Sequence, residues 1–470
     1  MRRAKIVSTL GPAVNSKEDI RRLVDAGIDV ARINRSHGSH EEHEQQIRWV
    51  HEAAAESGRA VAILVDLQGP KIRTGRFSGG PIHLAVGDTF TITVDDVDGN
   101  QERVSTTFKG LPGDVRAGDT LLIDDGKITL RATEVSATDV VCTVVEGGTV
   151  SNNKGINLPG VAVSVPALSE KDEDDLRWAL RVGADWIALS FVRDAADITR
   201  VHEIMAEVGL SRPVIAKVEK PQAVANLEEI VRAFDGIMVA RGDLGVEMPL
   251  EEVPLVQKRA VELARRDAKP VIVATQVLES MIENSRPTRA EASDCANAVL
   301  DGADAIMLSG ETSVGAWPIV AVQTMARIIE NTEDHGLGRI PPLGTNPSTT
   351  GGAITKAAAE IGNFLNAKYL VTFTSSGDSA RRMSRVRPKL PMLAFTQKPH
   401  TRRRLALTWG ITAFNLPEME DTTAMVAAVD RVLLEQGRCT HGDTIVVVAG
   451  RPHGVPGSTN ALQVHRVGGL

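Results

Sequence analysis

Eight short runs of β-branched and other apolar residues recur along the chain, and most of them precede a segment with the pattern of a helix. The runs are KIVSTL (5–10), DVARIN (29–34), VAILVDL (61–67), WIALSFV (186–192), VIAKVE (214–219), GIMVARG (236–242), VIVATQ (271–276) and AIMLSG (305–310). Because the runs are continuously apolar rather than alternating, they predict a parallel sheet buried on both faces. Eight strands of this kind close a (β/α)₈ barrel, whose chemistry lies at the carboxyl ends of the strands.

Two stretches of the chain have a different sequence pattern, one within the series of eight runs and one after it. Residues from about 70 to 165 carry alternating runs separated by GD, DG and GG turns, which predict an antiparallel insertion folded as a small β-barrel. After the segment IPPLGTNPSTTGG (340–352), strand and helix patterns alternate again. We therefore predict an α/β protein of three domains. They are a catalytic (β/α)₈ barrel (1–69 and 166–340), an inserted β-barrel lid (70–165) and a C-terminal α/β domain (341–470).

The composition excludes several classes of partner. A net charge of −7, with 3% aromatic residues, gives no reason to expect binding to nucleic acid. No apolar stretch approaches the roughly 20 residues of a membrane helix, and the N-terminal apolar run is too short for a signal peptide. The three cysteines lie far apart, without the spacing of a disulfide framework or a thiolate metal site. We expect a cytoplasmic protein that binds neither nucleic acid nor membranes.

The fifth and sixth runs carry the strongest signal for a site. The period of a strand places Lys217 and Glu219 on one face, where an apolar strand tolerates them only as a buried pair or as part of a site. The next run leads into MVARGDLG, in which Gly242 offers a backbone N–H and Asp243 a carboxylate. Glu219 and Asp243 on adjacent strand ends form the kind of oxygen-donor site that Mg²⁺ takes.

Other strand ends add cations and hydroxyl groups to the same edge. These residues are Arg32, Asn34, Ser36 and His37 after the second strand, Arg73 after the third, Thr275 after the seventh, and Ser309 and Glu311 after the eighth. Such an inventory suits phosphoryl transfer, in which positioning and neutralisation of charge supply most of the catalysis.

The chain resembles the pyruvate kinase family over essentially its whole length. The resemblance is carried by KIVSTLGP, NRSHG, LQGPKIRTG, NNKGINLPG, LSEKD, SFVR, AKVEK, MVARGDLGVE, ATQVLESMI, RPTRAE and MLSGET, in this order. It implies the final step of glycolysis, the transfer of the phosphoryl group of phosphoenolpyruvate to ADP, giving ATP and pyruvate. It also implies Mg²⁺ (or Mn²⁺) as cofactor and a homotetramer.

The resemblance assigns a role to each matching position. It implies that Lys217, Thr275 and Arg73 are catalytic; that Arg32, Lys217, Gly242, Asp243 and Thr275 bind phosphoenolpyruvate; that Asn34, Arg35, Ser36, His37, Arg73 and Lys154 bind ADP or ATP; and that Glu219 and Asp243 hold the Mg²⁺. The proton donor to the enolate stays open among Thr275, Ser309 and water. At position 35 many members have phenylalanine or methionine, so Arg35 adds a cation near the site.

A lysine in the segment DLQGPKIRTG (66–75) separates two branches of the family. Potassium-requiring members resemble DTKGPEIRTG, and their K⁺ site matches Asn34, Ser36, Asp66 and the backbone of Leu67. Here Lys71 replaces the glutamate, as in potassium-independent members. One unit charge at about 4 Å contributes roughly 4 kcal/mol at an effective dielectric near 20. We therefore expect Lys71 to substitute for K⁺, although the residues of the K⁺ site are retained.

The third domain contains a candidate regulatory site. The loop in TFTSSGDSARRMSR (372–385) follows a strand, and its hydroxyl and N–H groups suit a phosphate. Its residues are Thr374, Ser375, Ser376, Gly377 and Ser379, and the glycine-rich GRPHGVPGSTN (450–460) is expected to form the opposite wall. By resemblance, the ligand is a phosphorylated allosteric effector.

Two other functions remain open from the residues. A Mg²⁺-dependent barrel lyase or aldolase acting on pyruvate or phosphoenolpyruvate would share the two-carboxylate site but would not need Lys154 or Arg73. A metabolite sensor with an inactive barrel would keep only the loop of the third domain. Turnover that depends on nucleotide distinguishes the kinase from both.

Overall fold

A computed structural model describes residues 2–161, 163–419, 422–450 and 457–469. The chain opens with three strands separated by two helices. These elements are β1 (Lys5–Thr9), α1 (Lys17–Ala26), β2 (Val30–Asn34), α2 (His40–Ser57) and β3 (Ala62–Asp66). The helices begin where a side chain can accept an unpaired backbone N–H: Ser16 accepts from the N–H of Asp19, and Ser39 forms a reciprocal capping box with Glu42.

The inserted domain follows β3 and is built almost entirely of short strands. Its elements are β4 (Ile82–Leu84), β5 (Thr89–Thr93), β6 (Arg103–Ser105), α3 (Leu111–Asp114), β7 (Thr120–Ile123), β8 (Ile128–Val135), β9 (Asp139–Glu146), β10 (Gly148–Val150) and β11 (Ile156–Asn157). Six of the strands form one sheet in the order β11-β7-β8-β9-β5-β6, and β10 pairs with β4 in a separate ribbon. All of these pairs are antiparallel except β5 with β6.

The six-stranded sheet of the insertion differs from the closed barrel that its sequence predicts. Its edge strands, β6 and β11, have only three and two residues, too few for a continuous ladder between the edges. Instead, Arg73 makes a single bridge to Gly155 beside one edge, and Thr74 makes a single bridge to Thr106 beside the other. The segment that leaves the barrel therefore joins the two edges of the inserted sheet.

The remaining five strands of the barrel follow the insertion. The elements are α4 (Glu170–Val182), β12 (Trp186–Leu189), α5 (Ile198–Val208), β13 (Val214–Val218), α6 (Pro221–Ala225), α7 (Leu227–Ala233), β14 (Gly236–Ala240), α8 (Arg241–Glu247), α9 (Val253–Arg266), β15 (Val271–Ala274), α10 (Arg289–Asp301), β16 (Ala305–Leu308), α11 (Gly310–Ser313) and α12 (Pro318–Gly336). The sheet closes in the order β1-β16-β15-β14-β13-β12-β3-β2, with every pair parallel.

Apolar side chains fill the barrel interior. They come from alternate positions of the strands: Val7, Val30, Ala62, Leu64, Trp186, Ala188, Ile215, Met238, Ile272, Ala274, Ala305 and Met307. Ala406 and Leu407 of the C-terminal domain join the same cluster, and both are buried. The barrel is thus a packed core, and its polar chemistry is confined to the rim.

The C-terminal domain is a five-stranded sheet with helices. Its elements are α13 (Thr350–Phe364), β17 (Tyr369–Phe373), α14 (Asp378–Ser384), β18 (Met392–Thr396), α15 (Pro399–Arg404), β19 (Ile411–Asn415), α16 (Thr422–Glu435), β20 (Thr444–Gly450) and β21 (Thr459–Arg466). The strand order is β19-β18-β17-β20-β21, and only β21 runs antiparallel to its neighbour.

The predicted (β/α)₈ barrel and C-terminal α/β domain are confirmed, whereas the domain boundaries stay a prediction. Within the described ranges, none of the helices has the length and apolar character needed to cross a bilayer. Cys142, Cys295 and Cys439 are all buried and free, and burial raises the pKa of Cys142 and of Cys295 to about 12.

Candidate active site

The polar residues at the carboxyl end of the barrel continue the rows of side chains that fill its interior. Side chains of a strand alternate between its two faces, so an inward position recurs every second residue. The inward residues Val30, Leu64, Ala188 and Ile215 are followed two positions later by Arg32, Asp66, Ser190 and Lys217. One further step along two of these strands gives Asn34 and Glu219. The fold therefore brings these side chains to a common mouth.

Lys217 lies at the centre of this group. Its Nζ atom lies 2.9 Å from Glu219 Oε1 and 3.3 Å from Asp66 Oδ1, and it donates a 2.7 Å hydrogen bond to Ser190 Oγ. Burial alone would lower the pKa of Lys217, but Asp66 and Glu219 outweigh it and raise that pKa above its usual value. The ammonium group is therefore held charged inside the barrel mouth.

Asp66 is the acceptor that links two cations of the mouth. It is almost fully buried and receives Arg32 Nε at 2.8 Å and Arg32 Nη2 at 2.7 Å. Burial would raise the pKa of Asp66, but Lys217 and Arg32 together lower it below its usual value. Arg32 is fixed further by a 3.0 Å hydrogen bond from its Nη1 to Thr9 Oγ1. Both cations are thus oriented before any ligand binds.

Glu219 and Asp243 supply the carboxylates predicted to hold a metal. Glu219 is 1% exposed and accepts the backbone N–H of Phe191 at 2.7 Å. Burial raises the pKa of Glu219 above its usual value, and Asp243 adds to this effect against the opposing charge of Lys217. A buried glutamate whose ionisation is opposed by burial and by a neighbouring carboxylate fits a divalent cation, because the cation offsets both costs.

The carboxylates of Glu219 and Asp243 would fill only part of the coordination shell of a metal ion. Among the described residues, no group of three or more histidine, cysteine, aspartate and glutamate side chains could hold a metal ion. Mg²⁺ usually binds through one or two carboxylates together with water and substrate oxygens. The pair of Glu219 and Asp243 therefore fits Mg²⁺ better than a metal that requires a closed protein cage.

Thr275 and Gly242 meet at the ends of adjacent strands. The backbone N–H of Gly242 donates to Thr275 Oγ1 at 2.7 Å, and that hydroxyl donates to the carbonyl of Ala274 at 2.6 Å. Thr275 has a φ of 69°, a backbone conformation that costs a non-glycine residue about 1–3 kcal/mol and is concentrated at functional sites. The geometry supports a binding role at this corner of the mouth.

Ser309 carries a buried hydroxyl that has no hydrogen-bond partner among the described residues. Its backbone N–H donates to Glu311 Oε2 at 2.7 Å, and Glu311 also accepts the N–H of Leu278. Burial raises the pKa of Glu311 above its usual value. A buried hydroxyl left unpaired is costly unless a ligand or water completes it, so Ser309 remains a candidate beside Thr275 for the proton donor.

The turn after β2 and the segment after β3 hold the positions of the possible K⁺ site. Asn34 Oδ1 accepts the backbone N–H of Ser36 at 3.1 Å, and the Leu67 carbonyl accepts Ser190 Oγ at 2.6 Å. Asp66 is engaged by Arg32 and Lys217 as described above. The oxygens of Asn34, Leu67 and Asp66 therefore already have partners within the chain, and K⁺ binding by them stays a prediction.

Gly69 brings the start of the inserted domain against the barrel. Its φ of 75° favours glycine, and a Cβ atom there would lie 2.6 Å from the Phe191 ring and 2.8 Å from Ser190 Cβ. Its N–H donates to Asp172 Oδ1 at 3.0 Å. The glycine of LQGPK is thus required both by its conformation and by close packing.

The predicted nucleotide residues of the inserted domain lie in contact with that domain. Arg73 Nη1 donates to the carbonyl of Asn153 at 3.0 Å, and Lys154 Nζ pairs with Asp124 at 2.9 Å. Lys71 lines a narrow cavity between the two domains, with Phe191 among its walls. Its ammonium group has no ion-pair partner within the described part of the chain, and its role as a K⁺ substitute stays a prediction.

Two of the predicted nucleotide residues differ from the others in their surroundings. His37 is exposed on the turn after β2. Arg35 is 5% exposed, and its guanidinium pairs with Asp175 of α4 at 3.0 Å rather than joining the group around Lys217. The structure therefore does not bring Arg35 to the mouth as the sequence suggested, because the alternation along β2 turns its side chain outward toward α4.

The predicted effector loop borders a cavity of about 250 Å³ in the C-terminal domain. Its walls include Thr374, Ser375, Ser376, Ser379, Lys398, Gly450 and Thr459. Gly377 has a φ of 87°, and its N–H donates to Thr374 Oγ1 at 2.9 Å, so the turn is tight. Residues 451–456 of the expected opposite wall lie outside the described residues.

Sequence reasoning gave no role to Ser190 and Phe191. Ser190 Oγ accepts from Lys217 Nζ and donates to the Leu67 carbonyl, and the Phe191 N–H binds Glu219. A signal for Ser190 was present, because it is the hydroxyl residue within the run WIALSFV, two positions beyond the inward Ala188. The contribution of Phe191 comes from its backbone, which no residue pattern reveals.

Comparisons with known proteins agree with the geometry. A family model described as "Pyruvate kinase, barrel domain" matches residues 1–322, and one described as "Pyruvate kinase, alpha/beta domain" matches residues 352–465. The chain is 60% identical to a pyruvate kinase of Mycobacterium intracellulare and 58% identical to one of Mycobacterium tuberculosis, covering 99% of each pair of chains. A crystal structure of a pyruvate kinase from Cryptosporidium parvum superposes with a TM-score of 0.92 at 37% identity, covering 99% of this chain and 96% of that one.

Proposed function

The chain belongs to the pyruvate kinase family and has its activity, and we propose that it transfers the phosphoryl group of phosphoenolpyruvate to ADP at the mouth of the (β/α)₈ barrel. The observation that carries this proposal is the buried group formed by Lys217, Asp66, Glu219 and Arg32. Two cations, each paired with a carboxylate, lie together at the carboxyl ends of the strands. The cations suit an anionic substrate, and the carboxylate of Glu219 suits a divalent metal ion. The family needs a divalent metal for this reaction.

Lys217 is the residue we assign to the transferring phosphoryl group. Its ammonium is held charged by Asp66 and Glu219 and already lies in place, so no reorganisation is needed when negative charge develops on the substrate. The same ammonium would neutralise the enolate oxygen that forms as the phosphoryl group leaves. Arg32, oriented by Asp66, would bind the phosphate from the side of β2.

The metal we propose is Mg²⁺, with Mn²⁺ as a substitute, held by Glu219 and Asp243. When bound, it would supply positive charge that neutralises the phosphate and orients substrate oxygens. The carboxylate of phosphoenolpyruvate would lie at the N–H groups of Gly242 and Asp243 and the hydroxyl of Thr275. Both N–H groups lie in the first turn of α8, and that of Gly242 donates to Thr275 Oγ1 at 2.7 Å, so the substrate carboxylate would replace the threonine hydroxyl as its acceptor.

The inserted domain is proposed to act as a lid that carries part of the nucleotide site. Arg73 forms the bridge to Gly155, and Lys154 directly precedes Gly155 in the chain. One movement of the domain would therefore shift both cations together. Asn34, Ser36 and His37 would bind the nucleotide from the turn after β2.

Lys71 is proposed to replace the monovalent cation of potassium-requiring members. An ammonium on a flexible stem is a compact charge, and that of Lys71 has no carboxylate partner among the described residues that would neutralise it. The free charge is therefore available to a phosphate bound between the barrel and the lid. K⁺ would then not be required.

The C-terminal cavity is proposed to bind a phosphorylated effector. Hydroxyl groups of the loop 374–379 and the ammonium of Lys398 line the same space, and both suit a phosphate. We also propose a homotetramer in the cytoplasm, by analogy with the family.

The test of the function is pyruvate formation from phosphoenolpyruvate, followed with and without ADP and with and without Mg²⁺. The proposal expects turnover only when both are present, with ATP formed in equal amount. Turnover without nucleotide would instead favour the barrel lyase. Folded protein that stays silent under all conditions, including with sugar phosphates and AMP added, would favour the metabolite sensor.

A further inference from the structure

The N-terminal half of α4 holds Arg35, in the turn after β2, through both the backbone carbonyl and the side chain of that arginine. Lys171 Nζ donates to the carbonyl of Arg35 at 2.6 Å and to Asp175 Oδ2 at 2.6 Å. Asp175 Oδ1 in turn accepts Arg35 Nε at 3.0 Å. Arg35 is therefore held both by its backbone carbonyl and by its guanidinium group.

The environment of the Arg35 guanidinium is built for this contact. The side chains of Arg35 and Asp175 are 5% and 3% exposed, so water screens their attraction little. The guanidinium carbon lies 5.1 Å from the centre of the Trp178 ring, within the range of a cation–π contact. The Arg35 Nη1 group also meets His43 Nδ1.

His43 fits this arrangement as a neutral acceptor. Burial lowers the pKa of His43 to about 4, and the charge of Arg35 adds to this effect. At neutral pH its Nδ1 therefore accepts from Arg35. His40 completes the group by bonding Asp175 Oδ1 through its Nε2 at 2.7 Å and stacking on Trp178.

The same half of α4 also fixes the entry to the lid. Asp172 is fully buried and accepts the N–H of Gly69 at 3.0 Å, while its second oxygen caps the helix at Ser169. One short stretch of α4 thus controls the turn after β2 and the segment that leads into the inserted domain. The proposed nucleotide site lies between these two segments.

We propose that Arg35 is a positioning residue for the nucleotide, acting through its buried ion pair with Asp175 rather than by touching the substrate. The pair holds the turn 34–39 against α4 and so fixes Ser36 and His37. This inference rests on the proposed function, because those two residues are assigned there to the nucleotide. Phosphoenolpyruvate is assigned to Lys217, to Thr275 and to Arg32 of β2. Arg32 is held by Asp66 and Thr9 rather than by the pair, so binding of phosphoenolpyruvate should be independent of the pair.

The test compares steady-state kinetics of Arg35→Met, Asp175→Asn and the double variant with wild type. Arg35→Met is expected to raise the KM for ADP by about tenfold, which corresponds to a loss of about 1.4 kcal/mol of binding free energy. The KM for phosphoenolpyruvate and kcat should change less than about twofold. Asp175→Asn should shift the same constant in the same direction, and the double variant should be less than additive.

Two further variants separate positioning from stability and from direct binding. Arg35→Lys keeps the charge but not the forked geometry, so it should restore the KM for ADP in part. Arg48→Met, on the exposed face of α2, removes an arginine without touching the pair and should behave as wild type.

Several outcomes would overturn the inference. An Arg35→Met protein with a lowered melting temperature but an unchanged KM for ADP would show that the pair is only structural. A raised KM for ADP in Arg35→Met, together with an unchanged KM for ADP in Asp175→Asn, would show that Arg35 binds the nucleotide directly. An inactive wild type would instead refute the proposed function, before any variant is compared.

Discussion

Replacing Lys217 with methionine removes the charge at the centre of the barrel mouth while keeping the length of the side chain. Its ammonium lies 2.9 Å from Glu219 and 3.3 Å from Asp66. At an effective dielectric of about 20, each of these attractions is roughly 5–6 kcal/mol before the cost of burying the ammonium is subtracted. Most of that gross attraction is offset by desolvation.

The cost to folding should be smaller than is usual for a broken buried pair. Removing one partner of such a pair typically costs about 3–5 kcal/mol, because the other charge is left buried. Here Asp66 keeps Arg32 at 2.7 Å, and Glu219 can bind a proton, since burial already raises its pKa. We therefore expect Lys217→Met to lose about 1–3 kcal/mol of unfolding free energy and to remain folded.

The cost to catalysis should be much larger. Loss of one preorganised charge partner of the reacting group typically lowers kcat by about 10²–10³. The assay is pyruvate formation under saturating substrates, with a melting curve on the same sample and Lys258→Met as control, because Lys258 is an exposed lysine on the outer face of the barrel. A folded Lys217→Met protein that keeps more than about a tenth of the wild-type kcat would refute the role of Lys217.

Two other predictions concern charge at the same site. Burial, aided by Asp243, raises the pKa of Glu219 above its ordinary 4.5, so metal-free wild type should lose stability relative to Glu219→Gln as the pH rises from about 4.5 toward neutrality. Melting curves across this range check it: Mg²⁺ should reverse the loss in wild type alone, and a constant gap between the two proteins would contradict it. In tetramethylammonium buffer, wild-type turnover should change less than about twofold on adding K⁺, whereas Lys71→Met should become K⁺-dependent by about tenfold or more. A wild type that is active only with K⁺ would refute the role of Lys71.

Much of the barrel and its mouth could be predicted because periodicity carries the information. The eight apolar runs specify strands buried on both faces, and the alternation of side chains then places Arg32, Asp66 and Lys217 on the inward rows. The insertion was predicted less well, because its near-closure depends on single bridges at residues 73 and 74 rather than on long strands.

Contacts between segments distant in sequence could not be predicted. The pairing of Arg35 with Asp175 joins residues 140 positions apart, and neither the turn nor α4 alone indicates it. The backbone N–H of Phe191 that binds Glu219 leaves no trace in the residue pattern. Such contacts depend on how whole helices pack against the barrel, and the local sequence pattern carries no information about that packing.

The proposed site for phosphoryl transfer is tested most directly by the binding of Mn²⁺, as a probe for Mg²⁺, to wild type, Glu219→Gln and Asp243→Asn, measured by electron paramagnetic resonance. We expect a Mn²⁺ site on the wild-type chain that each substitution weakens by at least about tenfold, because each removes a charged oxygen donor. Binding of Mn²⁺ to both variants as tightly as to wild type would contradict the assignment of the metal to the ends of β13 and β14, and with it the proposed arrangement for phosphoryl transfer.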